Sequence, residues 1–184
     1  MLYFAYGSNI SETKLKSKDI SFINKGMCKL HDCKVFFCKK SKDGSGKATI
    51  LPHTNHVICG MLYEIDAANL IKLDKHEGLN YGYTRKTIIV KDEINRDVSC
   101  EIYIAEQSYI DFSLKPYSWY VNIIIDGMIS NQFFNSYIEE IASVETMDDR
   151  DNDRNMKNTM LLKNWNKPFN VFYDINTKSF KVKQ

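Results

Sequence analysis

One candidate for acid–base chemistry in this sequence is a glutamate at the end of a predicted helix. Glu77 lies in the stretch LDKHEG, where Leu73 closes an apolar pattern with helical spacing and Gly78 is typical of a helix end. The negative end of the helix dipole disfavours an ionised carboxylate there. If Glu77 is buried, we expect its pKa to rise above the usual value of about 4.3, toward the range that suits a general base. The alternative interpretation is a solvated surface glutamate.

A second candidate is the turn that follows the first predicted strand. The chain begins MLYFAYGSNI, and an apolar run over residues 2–6 ends at Gly7, Ser8 and Asn9. Glycine permits a positive φ, while Ser and Asn favour turns, so an ordinary turn explains the pattern when it is taken alone. The functional interpretation is that backbone N–H groups of the turn hold a carboxylate or a developing oxyanion. That interpretation requires a reactive group facing the turn.

Aromatic side chains form a third candidate, in the stretch LKPYSWY at residues 114–120. A proline turn leads there into a predicted helix. Such aromatics pack in cores or lids, but a tyrosine hydroxyl can also orient a substrate. Tyr117 and Tyr120 are therefore candidate substrate contacts.

Metal and thiol chemistry receive less support from the sequence. His53 and His56 lie three residues apart in a polar segment without carboxylates at ligand spacing, which favours turn residues over a metal site. The five cysteines form no CxxC pair and indicate free thiols in a reducing compartment. A thiol-dependent enzyme using Cys33 or Cys59 stays an alternative. We predict no metal and no cofactor.

The elements that must position these groups alternate irregularly, which predicts an α+β fold rather than regular βαβ units. Helical spacing and capping residues predict helices at residues 11–17, 66–78, 119–129 and 133–144. Apolar and β-branched runs predict strands at residues 2–6, 22–29, 34–38, 47–51, 57–65, 84–90, 99–105, 169–175 and 179–182. The run from Lys39 to Lys42 is interpreted as a solvated loop, and the charged segment 146–158 as a linker.

Composition indicates one compact unit with a small-molecule partner. The 184 residues are 43% hydrophobic, which suffices for one sizeable core, and a net charge of +2 does not favour a nucleic-acid or membrane surface. No apolar window approaches the roughly 18 residues of a membrane span. We therefore expect a soluble cytoplasmic protein with a domain at residues 1–145 and a C-terminal extension at 146–184 packed on it. A homodimer stays open.

Three separated segments resemble the γ-glutamylcyclotransferases: YFAYGSN at residues 3–9, LDKHEG at 73–78 and PYSWYVNIIIDG at 116–127. The stretch GKATILPHTNHVICGMLYEI also has the character of that family's central strands, while Asp126 departs from the apolar or small residue expected there. The resemblance spans about residues 2–129. It implies a mixed, barrel-like β-sheet core flanked by helices, with Glu77 as the catalytic acid/base. The substrate contacts that it implies are Tyr3, Phe4, Ala5, Tyr6, Gly7, Ser8, Asn9 and Tyr120, which matches better than Tyr117.

The reaction implied by the resemblance is an intramolecular cyclisation. A γ-glutamyl amide would form 5-oxoproline and release an amine or amino acid, in an acyltransferase or lyase of glutathione metabolism. The competing hypothesis is a non-catalytic small-molecule-binding or interaction module on the same fold. We also expect Gly7 to tolerate replacement least, because a side chain there would occupy the space that the substrate needs.

Overall fold

A closed five-stranded barrel forms the centre of the computed structural model, which describes residues 1–163, 171–174 and 179–182. The strand order around the barrel is β1-β3-β2-β4-β5. Antiparallel pairing dominates, and a parallel pairing of Tyr3 with Glu101 closes the barrel between β1 and β5. The predicted α+β class with a barrel-like sheet is confirmed. The barrel strands are β1 (Leu2–Ala5), β2 (Ile23–Lys40), β3 (Gly46–Glu64), β4 (Tyr83–Lys91) and β5 (Asp97–Ala105).

Strands β2 and β3 form one long hairpin, whereas the sequence predicted four short strands here. The prediction was wrong because β3 runs on through the polar segment LPHTNH, with paired residues on both sides of it. His31 pairs with Val57 and Cys33 pairs with Pro52, so residues 53–56 form a wide bulge opposite a single residue. The predicted loop from Lys39 to Lys42 also begins inside β2.

The bulge is held by two residues in the left-handed region. Asp32 has φ 56° and Asn55 has φ 62°. The Asn55 amide donates a hydrogen bond of 3.0 Å to the Asp32 carboxylate. His53 and His56 therefore lie in a bulged strand rather than in a loop, which corrects the turn interpretation.

The helices begin and end close to their predicted limits. Ser11 caps the first helix, and Asp66 caps the second by accepting a hydrogen bond of 2.7 Å from the Asn69 amide. Gly78 ends the second helix at φ 71°, in the left-handed conformation that favours glycine. The helices of the described chain are α1 (Glu12–Lys16), α2 (Ala67–Glu77), α3 (Ser118–Ser130), α4 (Asn135–Ala142) and α5 (Asn152–Thr159). None of them is long and apolar enough to cross a membrane.

Helix α5 overturns the linker prediction for residues 152–158, whereas residues 146–151 belong to no helix or named strand. The Asp151 carboxylate caps it by accepting from the Arg154 amide at 2.9 Å. A buried carboxylate, Asp149, accepts from Trp119 Nε1 at 2.8 Å and from Arg154 Nε at 2.6 Å. These bonds attach the segment to α3, because Trp119 belongs to that helix.

The predicted terminal hairpin is confirmed where the chain is described. Strands β6 (Val171–Asp174) and β7 (Ser179–Val182) pair antiparallel. The remainder of the predicted strand at 169–175 and the turn at 176–177 lie outside the described residues. The division into residues 1–145 and 146–184 stays a prediction.

Helix α3 extends the hydrophobic core to the turn that follows β1. Almost every residue of α3 is buried. A Cβ built on Gly127 would lie 2.6 Å from the Ser11 amide nitrogen and 2.9 Å from the Ile10 carbonyl carbon. This close approach needs glycine and fixes the 3₁₀ turn Ser8–Ile10 against the helix. Asp126, the departure noted in the sequence, is 1% exposed and accepts from the Lys163 amide at 2.8 Å.

Candidate active site

A small pocket lies where the turn after β1 meets the C-terminal end of α2. Its volume is about 30 Å³, which is room for one or two water molecules. The pocket is lined by Tyr3, Tyr6, Gly7, Ser8, Asn9, Ala48, Glu77, Tyr83, Tyr103 and Tyr120.

Glu77 is held by one oxygen in this pocket. Its Oε1 accepts from Lys18 Nζ at 2.9 Å and from Asn9 Nδ2 at 3.0 Å. Lys18 Nζ also donates to Asn9 Oδ1 at 2.7 Å, so the three side chains form a closed ring of contacts. The Lys18 and Glu77 side chains are only 14% and 18% exposed. Within the described residues, Glu77 Oε2 accepts no hydrogen bond.

The ring reverses the expected pKa shift of Glu77. Burial raises the pKa of this carboxyl, but the charge and hydrogen bond of Lys18, together with Asn9, lower it. Lys39 acts in the same direction, and the pKa falls below its ordinary value of 4.5. The expectation of a raised pKa was therefore wrong, because helix position and burial did not include a lysine from another element. Glu77 is a carboxylate at neutral pH.

Tyrosine hydroxyls form the pocket wall, and several are tied to the backbone. Tyr6 donates to the Tyr103 carbonyl at 2.5 Å, and Tyr83 donates to the Ala48 carbonyl at 2.6 Å. The Ala48 amide in turn donates to the Tyr120 hydroxyl at 3.2 Å. Burial raises the pKa of Tyr120 to about 12. The phenols of Tyr6 and Tyr83 also have raised pKa values through burial, so all three stay protonated and neutral.

Asp74 ties the glutamate-bearing helix to the barrel. It lies one turn before Glu77 on α2 and accepts from Tyr103 Oη at 2.6 Å. Arg85 Nη1 donates to both oxygens of Asp74, at 2.8 Å and 2.7 Å. Because Arg85 lies on β4 and Tyr103 on β5, the end of α2 is anchored to two barrel strands.

Comparisons with known proteins find several γ-glutamylcyclotransferases that are similar to this chain. Residues 57–141 match the AIG2-like family. Bovine γ-glutamylcyclotransferase is 28% identical over 153 residues, and the human protein of the same name is 27% identical over 153 residues; each match covers 80% of this chain and 80% of the relative. A solved structure of a γ-glutamyl cyclotransferase superposes with a TM-score of 0.75 at 25% identity, covering 85% of this chain and 98% of that one. The chain is similar to the γ-glutamylcyclotransferases over about four fifths of its length. The resemblance stated from its motifs is confirmed.

The structure brings most of the residues implied by that resemblance to one pocket. Six of the eight predicted substrate contacts line it together with Glu77. Phe4 and Ala5 do not line it, since both are fully buried in β1, where the Phe4 ring lies against Gly60. Gly7 has φ −111°, so a positive φ is not the reason for glycine at this position. The predicted roles of all these residues stay predictions.

Tyr117 and Tyr81 lie away from the pocket lining. The Tyr117 hydroxyl donates to the Asp43 carbonyl at 2.8 Å, and Tyr81 is 76% exposed. The preference for Tyr120 over Tyr117 therefore agrees with the positions of the two side chains.

Sequence reasoning missed two lysines of the site. Lys18 follows α1 in the polar run KLKSKD and carries no local sign of burial. Lys39, interpreted as part of a solvated loop, is 9% exposed, and its Nζ lies 4.6 Å from the centroid of the Tyr83 ring. Alternation of side chains along β2 could have indicated Lys39, had the strand been predicted to its end. Tyr103 was missed as well, and it lies on a correctly predicted strand.

The residues that the sequence offered for thiol or metal chemistry do not line this pocket. Neither Cys33 nor Cys59 lines it, and burial raises the pKa of both thiols, which makes them weaker nucleophiles at neutral pH. Within residues 1–163 and the two described hairpin strands, no group of three or more His, Cys, Asp or Glu side chains is arranged to hold a metal ion.

Proposed function

We propose that this chain is a γ-glutamyl cyclotransferase that converts a γ-glutamyl amide into 5-oxoproline and releases the attached amine or amino acid. The α-amine of the glutamyl group attacks its own side-chain carbonyl, and the C–N bond to the leaving group breaks. The observation that supports this proposal is an ionised Glu77 with one unbound oxygen, facing a turn of small residues in a confined pocket. Both reacting groups belong to one molecule, so positioning and proton transfer suffice.

Glu77 is the general acid/base in this proposal. The α-amine of the substrate is an ammonium at neutral pH and must lose a proton before it can attack. Oε2 of Glu77 accepts that proton and then delivers it to the departing nitrogen. The lowered pKa keeps the carboxylate ready to bind the ammonium before it takes the first proton. The second proton of the attacking nitrogen leaves through the same carboxylate once the new C–N bond has formed, and it passes to the released amine.

The turn at Gly7 and Ser8 is the proposed site for negative charge. Both residues line the same pocket as Glu77, and within the described chain the Gly7 amide donates no hydrogen bond. A backbone N–H at this position can hold the substrate carboxylate or the oxyanion that develops on the attacked carbonyl. Tyr120, a neutral phenol beside Gly7, is a further donor to the same oxygen.

The decisive experiment replaces Glu77 by Gln and measures 5-oxoproline release from a panel of γ-glutamyl compounds. Gln keeps the shape and the hydrogen bond to Asn9 but cannot carry the proton. We expect kcat to fall by at least about 10²-fold while the protein stays folded. Glu64→Gln is the matched control, since that carboxylate lies at the exposed end of β3 in an ion pair with Lys25. Near-normal turnover by the Glu77 variant would refute the assignment.

A binding module on the same fold is the second candidate, and one observation favours it. A carboxylate with a lowered pKa is a weaker base and a better permanent partner for a ligand ammonium. A binder of this kind would take up a γ-glutamyl compound in calorimetry without forming 5-oxoproline. Turnover of any member of the panel excludes it.

A further inference from the structure

The turn after α1 delivers a lysine to the catalytic pocket. The Lys18 amide donates to the Leu15 carbonyl at 3.0 Å, and the Ile20 amide donates to the same carbonyl at 3.3 Å. Asp19 between them has φ 55°. These bonds fix the backbone on both sides of Lys18, so its side chain is aimed at Glu77 by a defined turn.

The geometry points to Lys18 as a positioning residue for the proposed cyclisation: it binds one oxygen of Glu77, orients Asn9 toward the same oxygen, and so leaves the other oxygen for proton transfer. This inference rests on the proposed function. Lys18 Nζ donates to Asn9 Oδ1 at 2.7 Å, which turns the amide nitrogen of Asn9 toward Glu77 and toward the Tyr3 hydroxyl. With Oε1 occupied by two donors, the substrate ammonium meets Oε2.

The ion pair differs from the surface pairs of this protein. Both side chains are more than four-fifths buried, whereas Lys16 and Glu12, a helical pair on α1, are 63% and 36% exposed. Screening by water makes an exposed pair contribute little, but a buried carboxylate depends on its cation. Lys18 therefore favours the ionised form of Glu77 and also holds one of its oxygens in place.

Titratable groups from several elements surround Glu77, and they shift its pKa in different directions. Two further lysines favour the carboxylate, Lys39 on β2 and Lys14 on α1, while the buried phenols disfavour it when they ionise. Without Lys18, burial would dominate and the pKa of Glu77 would rise. The phenols within reach are Tyr3 and Tyr6 near β1, Tyr83 on β4, Tyr103 on β5 and Tyr120 on α3.

The test compares Lys18→Met with Lys18→Arg, which retains the charge, and with Lys16→Met, which removes an exposed lysine of the same turn region. A base must be deprotonated to act, so the acid limb of kcat/KM follows the pKa of Glu77. We expect that limb to move upward by about 1 to 3 pH units in Lys18→Met. Lys18→Arg and Lys16→Met should keep the limb close to the wild-type position. A purely structural role would lower kcat/KM at every pH without moving the limb.

A second measurement separates this inference from the proposed function. Carbon-13 carboxyl NMR follows the titration of Glu77 directly, with Glu77→Gln used to assign its resonance. A rise in the pKa of Glu77 in Lys18→Met supports the inference even if the wild-type protein forms no 5-oxoproline, a result that would refute the proposed function alone. If Lys18→Met does not fold, Lys18→Gln keeps the hydrogen bonds and removes the charge. An unchanged Glu77 titration in a folded neutral variant overturns the inference.

Discussion

Gly127→Ala tests whether α3 fixes the turn that carries the proposed substrate contacts. The added Cβ would lie 2.6 Å from the Ser11 amide nitrogen and 2.8 Å from the Ser11 Cα. Both are backbone atoms, so no change of rotamer relieves the overlap. Since ordinary contacts between heavy atoms are about 3.5 Å, the helix and the turn would have to separate by roughly 0.9 Å.

That separation determines how much stability and activity the variant loses. Overpacking of a well-packed core costs about 1–3 kcal/mol, and this overlap belongs at about 2–3 kcal/mol because it falls on backbone atoms. The better helix propensity of alanine returns about 1 kcal/mol. We therefore expect a net loss of about 1–2 kcal/mol, which corresponds to a fall of roughly 2–8 °C in Tm for a chain of this length. The displaced turn also moves Asn9 from its 3.0 Å contact with Glu77. A displacement approaching 1 Å in a catalytic group can cost about 10²-fold in rate.

Gly7→Ala is the matched control, because its contacts are of another kind. There the added Cβ would lie 3.3 Å from the Ala48 Cβ and 3.4 Å from the Tyr120 hydroxyl, so the neighbours need to shift by only a few tenths of an ångström. We expect stability within about 1 kcal/mol of wild type, since little must move. Activity should nevertheless fall, because both neighbours line the pocket. The sequence-based expectation that Gly7 tolerates replacement least then applies to activity and not to folding.

Urea unfolding and 5-oxoproline release, measured on both variants, separate the two effects. The reasoning requires that Gly127→Ala lose stability and activity together, whereas Gly7→Ala loses activity alone. A Gly127→Ala protein with wild-type stability and full turnover would refute the idea that close packing of α3 positions the turn.

Three further changes test the anchors around the pocket. Asp74→Asn should lower the free energy of unfolding by about 1–3 kcal/mol in urea titration, because it weakens the charge-assisted hydrogen bonds that hold α2 to Tyr103 and β4; an unchanged midpoint argues against that anchor. Arg154→Met should lower the Tm in calorimetry, since it leaves Asp149 buried without its cation; an unaltered Tm contradicts this. The carboxylate of Glu77, with its lowered pKa, contributes stability that is present above pH 4.5 and lost as the pH falls through the lowered value. Glu77→Gln should therefore flatten the acid side of a stability profile, and an equally steep profile would count against the ion pair.

The parts of the fold that could be predicted from the sequence depend on short-range signals. Ser11 and Asp66 begin helices by accepting from backbone amides three residues ahead, and Gly78 ends a helix through its own left-handed conformation. Each signal involves residues within one helical turn, so it can be read without knowing the fold. The β4–β5 hairpin was predicted for the same reason.

The interrupted β2–β3 hairpin and helix α5 could not be predicted in this way. The polar segment LPHTNH has the composition of a loop, and it belongs to a strand only because Asp32 on the partner strand holds the bulge. Similarly, Asp149 accepts from Arg154 within its own segment, but it gains Trp119 as a donor only when the segment meets α3. In both cases a tertiary contact outweighs the local composition.

The same difference between local signals and tertiary contacts applies to the candidate site. Glu77 and the turn at Gly7 could be named from their motifs, but Lys18 lies 59 residues from Glu77 in a run that resembles a solvated surface. The predicted direction of the Glu77 pKa shift was wrong for this reason alone. A charge brought by the fold reversed what burial and helix position would have produced.

The long hairpin explains how such distant residues come to share one pocket. At its base, Ile23 pairs with Glu64, and Leu2 of β1 pairs with the same glutamate. The chain just before β2 carries Asn9 and Lys18, while the chain just after β3 continues into α2 and Glu77. Pairing at the base therefore brings the ring of three side chains together, whatever the far end of the hairpin does. The ion pair between Lys18 and Glu77, the proposed acid/base, thus joins the two segments that enter and leave the hairpin at its base.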